Sequence, residues 1–145
     1  MPNPVELHPR LVAAEPDRAL AFYRDALGAE TVERYVDGDG RVVHAAVSIG
    51  GAVLSLTQSV PEWGLLDPRA LDGSPCLLHL TVDDPDATAA RFVAHGGTVV
   101  VPVEDRPYGK REGRAADPAG HLWVLSATIE EIASDEIARR LRGSP

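Results

Sequence analysis

The sequence repeats itself at a constant spacing of 69 residues, and this repeat restricts the possible folds more than any other feature. The stretch LVAAEPDRALAFYRDALGA from Leu11 aligns with LTVDDPDATAARFVAHGGT from Leu80. Further along, the same spacing superposes Leu56 on Leu125 without a gap. Because two unrelated segments would not be expected to keep one spacing throughout, the chain is predicted to contain two copies of one supersecondary unit.

The first copy has the pattern of a strand, a helix and three further strands. Pro16 and Asp17 begin the predicted helix and Gly28 ends it, as proline at the start and glycine after the end are typical of helices. The Asp-Gly steps at 37–40 are typical of a hairpin turn. The predicted strands are 5–14, 30–36, 41–49 and 52–58.

The second copy is predicted to follow a linker at 59–75 that is rich in Pro, Gly and Asp. Its helix covers 85–95, and 106–113 is predicted to be a loop. Its strands are 76–82, 98–103, a short 114–116, and 121–127. A C-terminal helix at about 134–142 is expected, with Ser134 as its cap. The prediction is therefore one α+β domain over 1–145, with βαβββ modules at about 5–58 and 76–127.

Composition excludes several classes of protein. The net charge of −8 argues against nonspecific nucleic-acid binding, which needs a basic surface. No apolar run approaches the ~18 residues of a membrane span, and no secretory signal is evident. Cys76 is the single cysteine, so a reducing cytoplasm is the expected location. No phosphate-binding glycine loop, activated thiol or nucleophile elbow is present.

Two stretches carry a resemblance to a known family. HPRLVAAEPDRALAFY from His8 and YGKREGRAADPAGHLW from Tyr108 resemble glyoxalase/bleomycin-resistance domains of the vicinal oxygen chelate superfamily, in particular the PhnB-like branch. The tail from Ala127 is similar to that branch as well. Tyr108 replaces its usual Trp, and Lys110 its usual Asp. The resemblance implies two modules with curved mixed sheets around a cup, and a homodimer.

Metalloenzymes of this superfamily take metal ligands from four positions related by the repeat. The resemblance assigns these positions to His8, Ser55, Leu77 and Val124. One imidazole and one hydroxyl do not supply the three or more good ligands that a divalent metal needs. We therefore expect no metal and no cofactor. His79 shares a face with Leu77 and could approach His8, but hydrogen bonding within an apolar pocket is the favoured interpretation.

Strand alternation predicts which side chains line the cup. Trp63 and Tyr108 are candidate stacking surfaces, or else parts of a lid. Arg111 is a candidate partner for an anionic group, or else a brace for its loop. Trp123 has the opposite parity and is expected to pack under a helix. The predicted ligand-binding residues are His8, Arg10, Ser55, Thr57, Trp63, Leu77, His79, Tyr108, Arg111, Leu122 and Val124.

These features favour a metal-independent small-molecule-binding protein, with sequestration of an antibiotic or secondary metabolite as the role that the resemblance suggests. The expected ligand is aromatic, or cationic in view of the acidic charge. One alternative is a lyase, isomerase or dioxygenase with an atypical metal site. Another is a metal-free enzyme with His8 or His79 as general base. A third is a structural or regulatory dimer without a ligand.

Overall fold

The first βαβββ module is present as the repeat predicts. A computed structural model describes residues 2–143, so the outer limits of the predicted domain, 1 and 145, lie outside the described residues. The elements of this module are β1 (Arg10–Ala13), α1 (Pro16–Leu27), β2 (Glu30–Val36), β3 (Val42–Ile49) and β4 (Ala52–Gln58). In the sheet the strands follow the order β1-β4-β3-β2, with β1 parallel to β4 and the other pairs antiparallel.

Helix α1 covers one face of this sheet. Pro16 occupies its first turn, and Gly28 ends it in the left-handed conformation at φ 65°, which glycine adopts without steric cost. Tyr23 is fully buried and Phe22 is 3% exposed, so the apolar stripe of the helix is in the core as predicted. Arg34 of β2 donates two 2.8 Å hydrogen bonds to Asp17 of α1. The side chain of Arg34 therefore lies on the face of the sheet that the helix covers.

The second module repeats this arrangement. Its elements are β5 (Leu77–Thr81), α3 (Pro85–Ala94), β6 (Thr98–Asp105), β7 (Lys110–Ala116), β8 (Leu122–Thr128) and the C-terminal α4 (Ser134–Arg142), and the strand order is β5-β8-β7-β6. Phe92 of α3 is fully buried and its ring lies edge to face on Trp123, with 6.2 Å between the ring centroids, which confirms that Trp123 packs under the helix. The α+β class and the tandem βαβββ organisation are therefore confirmed.

The chain forms two compact units. One contains the residues up to Ser74 together with Pro118–Gly120, and the other contains Pro75–Asp117 and the residues from His121 onward. The predicted linker is partly helical, with a 3₁₀ turn at Pro61–Trp63 and a short α2 at Pro68–Leu71. No helix within residues 2–143 is long and apolar enough to cross a lipid bilayer.

Strand registers confirm the 69-residue spacing and reveal one place where it slips. Arg10 pairs with Ser55 in the first sheet, and His79 pairs with Val124 in the second. The third strands, however, are offset by 68 residues: Ala46 pairs with Ser55 in the first sheet and Arg114 with Val124 in the second, because the β7–β8 turn is one residue longer than the β3–β4 turn. Separately, Tyr35 pairs with His44 and Val36 with Val42, which leaves Val43 as an extra residue in a β-bulge of β3.

The predicted start of β1, start of β7 and cap of α4 were wrong, and other strand ends shift by one or two residues. The first strand begins at Arg10, not at residue 5, because the β4 ladder reaches no further than a bond from the Ser55 N–H to the Pro9 carbonyl, 3.0 Å. Strand β7 begins at Lys110, because a tight turn closed by Arg106 N and the Lys110 carbonyl at 2.7 Å starts a hairpin there. The N-cap position of α4 is Ala133, whose side chain makes no capping hydrogen bond, and Ser134 is the first helical residue.

Candidate functional site

A cleft opens on the face of the first sheet that α1 does not cover, called here the open face. Its volume is about 440 Å³, within the range of ~300–1,000 Å³ that small-molecule sites occupy. Three predicted ligand-binding residues meet there, one each from β1, β4 and the 3₁₀ turn, and three aliphatic side chains complete it. The lining residues of this first cleft are Arg10, Thr57, Trp63, Val12, Val43 and Leu65.

The bulge at Val43 shapes the floor of the first cleft. Two donors converge on the Val43 carbonyl: the Arg10 guanidinium at 3.1 Å and the Thr57 hydroxyl at 3.2 Å. The pairing of β3 with β4 ends at Ala45 and Leu56, so the Val43 carbonyl accepts from side chains in place of a backbone partner on β4. The extra residue in β3 thus holds Arg10 and Thr57 in place beside the exposed indole of Trp63, which is 77% exposed.

A second contact of Arg10 leads into a short polar network. Arg10 Nη2 lies 3.0 Å from His44 Nδ1, and His44 Nε2 lies 2.7 Å from a carboxylate oxygen of Glu33. A guanidinium can only donate, so Nδ1 accepts and Nε2 carries the proton that is donated to Glu33. Tyr35 stacks on the imidazole at 5.7 Å with an angle of 21° between the rings, which fixes the plane of the ring.

Sequence reasoning missed His44 and Glu33. Both residues lie on the middle strands β2 and β3, whereas the predicted residues on strands come from the first and last strands of each module and from the segment before β7 and its start. The 69-residue spacing would also have failed there, because β3 and β7 are offset by 68 residues, the β7–β8 turn being one residue longer than the β3–β4 turn. The available signal was the side-chain alternation along β2, which places Glu33 and Tyr35 on the side opposite Arg34.

The second unit has a cleft of different chemistry on its own open face, with a volume of about 280 Å³. The Tyr108 hydroxyl donates to the Glu112 carboxylate. Burial, and then the hydrogen bond to this carboxylate, raise the pKa of Tyr108 to about 12. Tyr108 is therefore a fixed neutral donor at pH 7. The residues that line this second cleft are Val101, Arg106, Tyr108, Glu112, Gly113 and Arg114.

The other predicted residues of the second unit do not line its cleft. His79 is exposed on the edge strand β5, and Leu77 is 43% exposed. Leu122 is half-buried on β8, and Val124 is 7% exposed. These four side chains share the open face of the sheet, because Leu77 pairs with Leu122 and His79 with Val124 in register.

Arg111 lies on the helix-covered side of the second sheet. It donates hydrogen bonds of 2.7 and 2.9 Å to Asp86 of α3 and one of 2.9 Å to Asp105. The hydrogen bond from Arg111 holds the pKa of Asp86 below its ordinary value. Arg111 is thus turned away from the open face, and these contacts support its interpretation as a brace.

The DPAG sequence at 117–120, part of the stretch that resembles the family, forms a turn that stabilises the fold and lines neither of the two clefts. The buried Asp117 carboxylate accepts hydrogen bonds from the His121 N–H at 3.1 Å and from the Trp123 indole at 2.9 Å. The turn Pro118–Gly120 has three residues where the first module uses the pair Gly50-Gly51. A Cβ on Gly120, at φ 94°, would lie 3.1 Å from the Cβ of Pro68, so glycine is needed there.

The four positions that the family pattern assigns to a metal do not fit one. His8 lies before β1, where its side chain is 40% exposed and pairs with Glu6 at 3.6 Å. Ser55 is buried at 1% exposure, and Leu77 and Val124 offer no donor atom. In the part of the chain that the structure describes, no three His, Cys, Asp or Glu residues are grouped closely enough to hold an ion.

The fold and the two clefts define a class: α+β proteins of two βαβββ modules, each exposing one sheet face with a cleft. The chain belongs to the Glyoxalase/Bleomycin resistance protein/Dioxygenase superfamily, whose family model matches residues 7–125. An uncharacterised protein of Mycobacterium tuberculosis strain H37Rv is 39% identical over 134 residues, which cover 90% of this chain and 79% of the relative.

Solved structures show the same fold at lower identity. The fosfomycin resistance protein FosX of Listeria monocytogenes is 18% identical with a TM-score of 0.69, over 94% of this chain and 99% of that one. A PhnB protein of Bacillus cereus is 20% identical with a TM-score of 0.67, over 86% of this chain and 100% of that one. These likenesses extend over nearly the whole chain and concern the fold.

Proposed function

We propose that this protein binds a small molecule without a metal and that the first cleft is the ligand site. The observation that carries the proposal is the meeting of Arg10, Thr57 and Trp63 around one cleft of about 440 Å³. These residues come from two strands and the segment between the modules. Their chemistry combines a flat aromatic surface, a cation and a hydroxyl with aliphatic walls, which is typical of small-molecule sites.

The geometry supports a flat ligand with at least one hydrogen-bond acceptor. Trp63 exposes most of its indole, which offers a stacking surface. Arg10 and Thr57 both donate to the Val43 carbonyl, so their donor groups lie close together. A hydrogen-bond acceptor on a ligand could bind beside this carbonyl. The cation in this cleft favours a neutral or anionic ligand over the cationic one that the net charge of the chain suggested.

Sequestration of an antibiotic or secondary metabolite is the biological role we propose for this binding. It is supported by membership of the superfamily and by the unfavourable chemistry of the metal positions. FosX, a fosfomycin resistance protein, has the same fold. A homodimer, which the family resemblance implies, is part of the same proposal and can be measured by analytical ultracentrifugation.

Ligand titration tests the proposal, because the two tryptophans differ in exposure. Trp63 is 77% exposed and Trp123 is 3% exposed, so a ligand in the first cleft should quench Trp63 selectively. With an aromatic polyketide such as tetracycline as probe, we expect quenching and a rise in melting temperature. Trp63→Ala should weaken binding roughly tenfold by removing the stacking surface.

Leu71→Ala is the matched control, since Leu71 is an exposed residue between the modules that does not line the cleft. It should bind the probe as the unaltered protein does. Absence of quenching and of a thermal shift across a panel of aromatic compounds would overturn the proposal. A stoichiometric transition metal in protein purified without chelator would overturn its metal-independent part.

A further inference from the structure

In the part of the chain that the structure describes, Arg10 forms no ion pair. Arg34 and Arg111 each form an ion pair with an aspartate, whereas the contacts of Arg10 within residues 2–143 are the neutral Val43 carbonyl and the imidazole of His44. One of its guanidinium nitrogens, Nη2, makes both contacts. Arg10 lines the first cleft, and within the described residues its other guanidinium nitrogens make no hydrogen bond, so a carboxylate in the cleft could accept from them.

His44 adds a proton site to this cation. In the arrangement described, its Nδ1 lone pair faces the Arg10 guanidinium and its Nε2–H is donated to Glu33. A proton added at Nδ1 would point one N–H donor at another and bring two positive charges together. An anion placed between them would remove this conflict, because it could accept from Arg10 and from protonated Nδ1 simultaneously.

The surroundings of His44 favour the protonated ring once an anion is present. Strand β2 contributes the Glu33 carboxylate on the far side of the ring and the stacked Tyr35. Strand β1 contributes Arg10. Strand β4 contributes Thr57, which carries no charge. With a bound carboxylate, the order of charges would be anion, imidazolium and Glu33 anion, so each positive group would have a negative neighbour.

We propose that the first cleft binds an aromatic carboxylate and that His44 takes up one proton from solvent when it does. The carboxylate enters as the anion, the proton adds to Nδ1, and Nε2–H stays bonded to Glu33. The complex therefore gains no net charge. This inference rests on the proposed function, since it names the ligand class of the same cleft.

Calorimetry with 2-naphthoate tests this proton uptake, with 2-naphthamide as the neutral analogue of the same shape. Titrations in two buffers of different ionisation enthalpy give the number of protons taken up per ligand. We expect a value approaching one for naphthoate and zero for naphthamide. Since binding requires the proton, naphthoate affinity should fall as the pH rises from about 6 to 8, by up to tenfold per unit.

Variants assign the proton to its site. His44→Gln keeps polar atoms near Arg10 and Glu33 but cannot take up a proton, so it should abolish both the proton uptake and the pH dependence. Glu33→Gln should reduce both by removing the stabilising anion, and Arg10→Gln should weaken naphthoate tenfold or more. His95→Gln, at an exposed histidine of the other unit, should leave all of these quantities unchanged.

The outcomes separate this inference from the proposed function. If naphthoate and naphthamide bind equally without proton uptake, the carboxylate proposal is overturned and the ligand site remains. Proton uptake that persists in folded His44→Gln, verified by circular dichroism, also overturns it. If neither compound nor any aromatic polyketide binds, the proposed function fails and this inference fails with it.

Discussion

The two modules differ on their open faces and agree on their helix-covered faces. Toward the helix, fully buried Leu56 and Leu125 occupy related positions, and related aspartates each accept a pair of hydrogen bonds from an arginine. Toward the open side, the counterpart of His44 is Glu112, which bonds to Tyr108. The apolar core therefore fixes the shared fold, while the open faces carry separate chemistry in the two modules.

Truncating the shared core should have the largest effect. Leu56→Ala and Leu125→Ala each remove a fully buried side chain from a central strand. Each should lower the free energy of unfolding by about 2–5 kcal/mol, because a cavity remains where the leucine packed. Denaturant unfolding at 25 °C measures this. Losses differing by more than about 3 kcal/mol would break the equivalence of the two cores.

Exchanging glycine and alanine on the third strands should have an intermediate and unequal effect. A Cβ on Gly113 would lie 2.6 Å from the Val101 carbonyl and 2.8 Å from the Val103 nitrogen. Gly113→Ala should therefore cost about 1–3 kcal/mol through backbone displacement. Its structural counterpart Ala45 is fully buried, and Ala45→Gly should cost about 1 kcal/mol. A stabilising Gly113→Ala would contradict the described packing of β6.

Removing the aspartate partners should have the smallest effect. The hydrogen bond from Arg34 holds the pKa of Asp17 below its ordinary value, so the pair stabilises the fold above pH 4 and ceases to do so as the pH falls through the lowered pKa. Because both side chains are largely exposed, Asp17→Asn should cost less than about 1 kcal/mol at pH 7.

The same pattern is expected of Asp86→Asn in the second module, where Arg111 is the partner. Urea unfolding at pH 7 and at about pH 2 measures both variants against the unaltered protein. The difference should be present at pH 7 and absent in acid. A difference that grows in acid would reverse the sign of the linkage and exclude the ion pair as its source.

Much of the fold could be predicted from the sequence, because glycine and Asp-Gly pairs mark its turns. Strands β2 and β4 have the predicted limits, since Gly28, the hairpin at 37–40 and Gly50-Gly51 bound them sharply. The start of β1 was misplaced because residues before Pro9 have strand-like composition but no partner strand. Strand β7 was predicted too short because its charged alternation resembles a loop.

The candidate site could be predicted only in part. Arg10 and Thr57 follow from alternation on regular strands, and Trp63 from its place between the modules. His44 lies on β3, to which the alternation was not extended, although counting back from the Gly50-Gly51 turn places it on the face of Ser55 and Thr57. The bulge at Val43, which brings the Val43 carbonyl to Arg10 and Thr57, has no mark in the sequence. Arg111 was ambiguous because alternation alone does not tell which sheet face a helix covers.

The turn Pro118–Gly120 has a consequence for any attempt to divide the gene. It is encoded within the second repeat, yet its three residues belong to the first compact unit. A fragment that stops at Ser74 would contain one complete repeat and still lack part of its own unit. Shuffling the halves of this gene with those of a relative would therefore succeed only if the incoming second half carries a turn that suits Pro68 and Arg69.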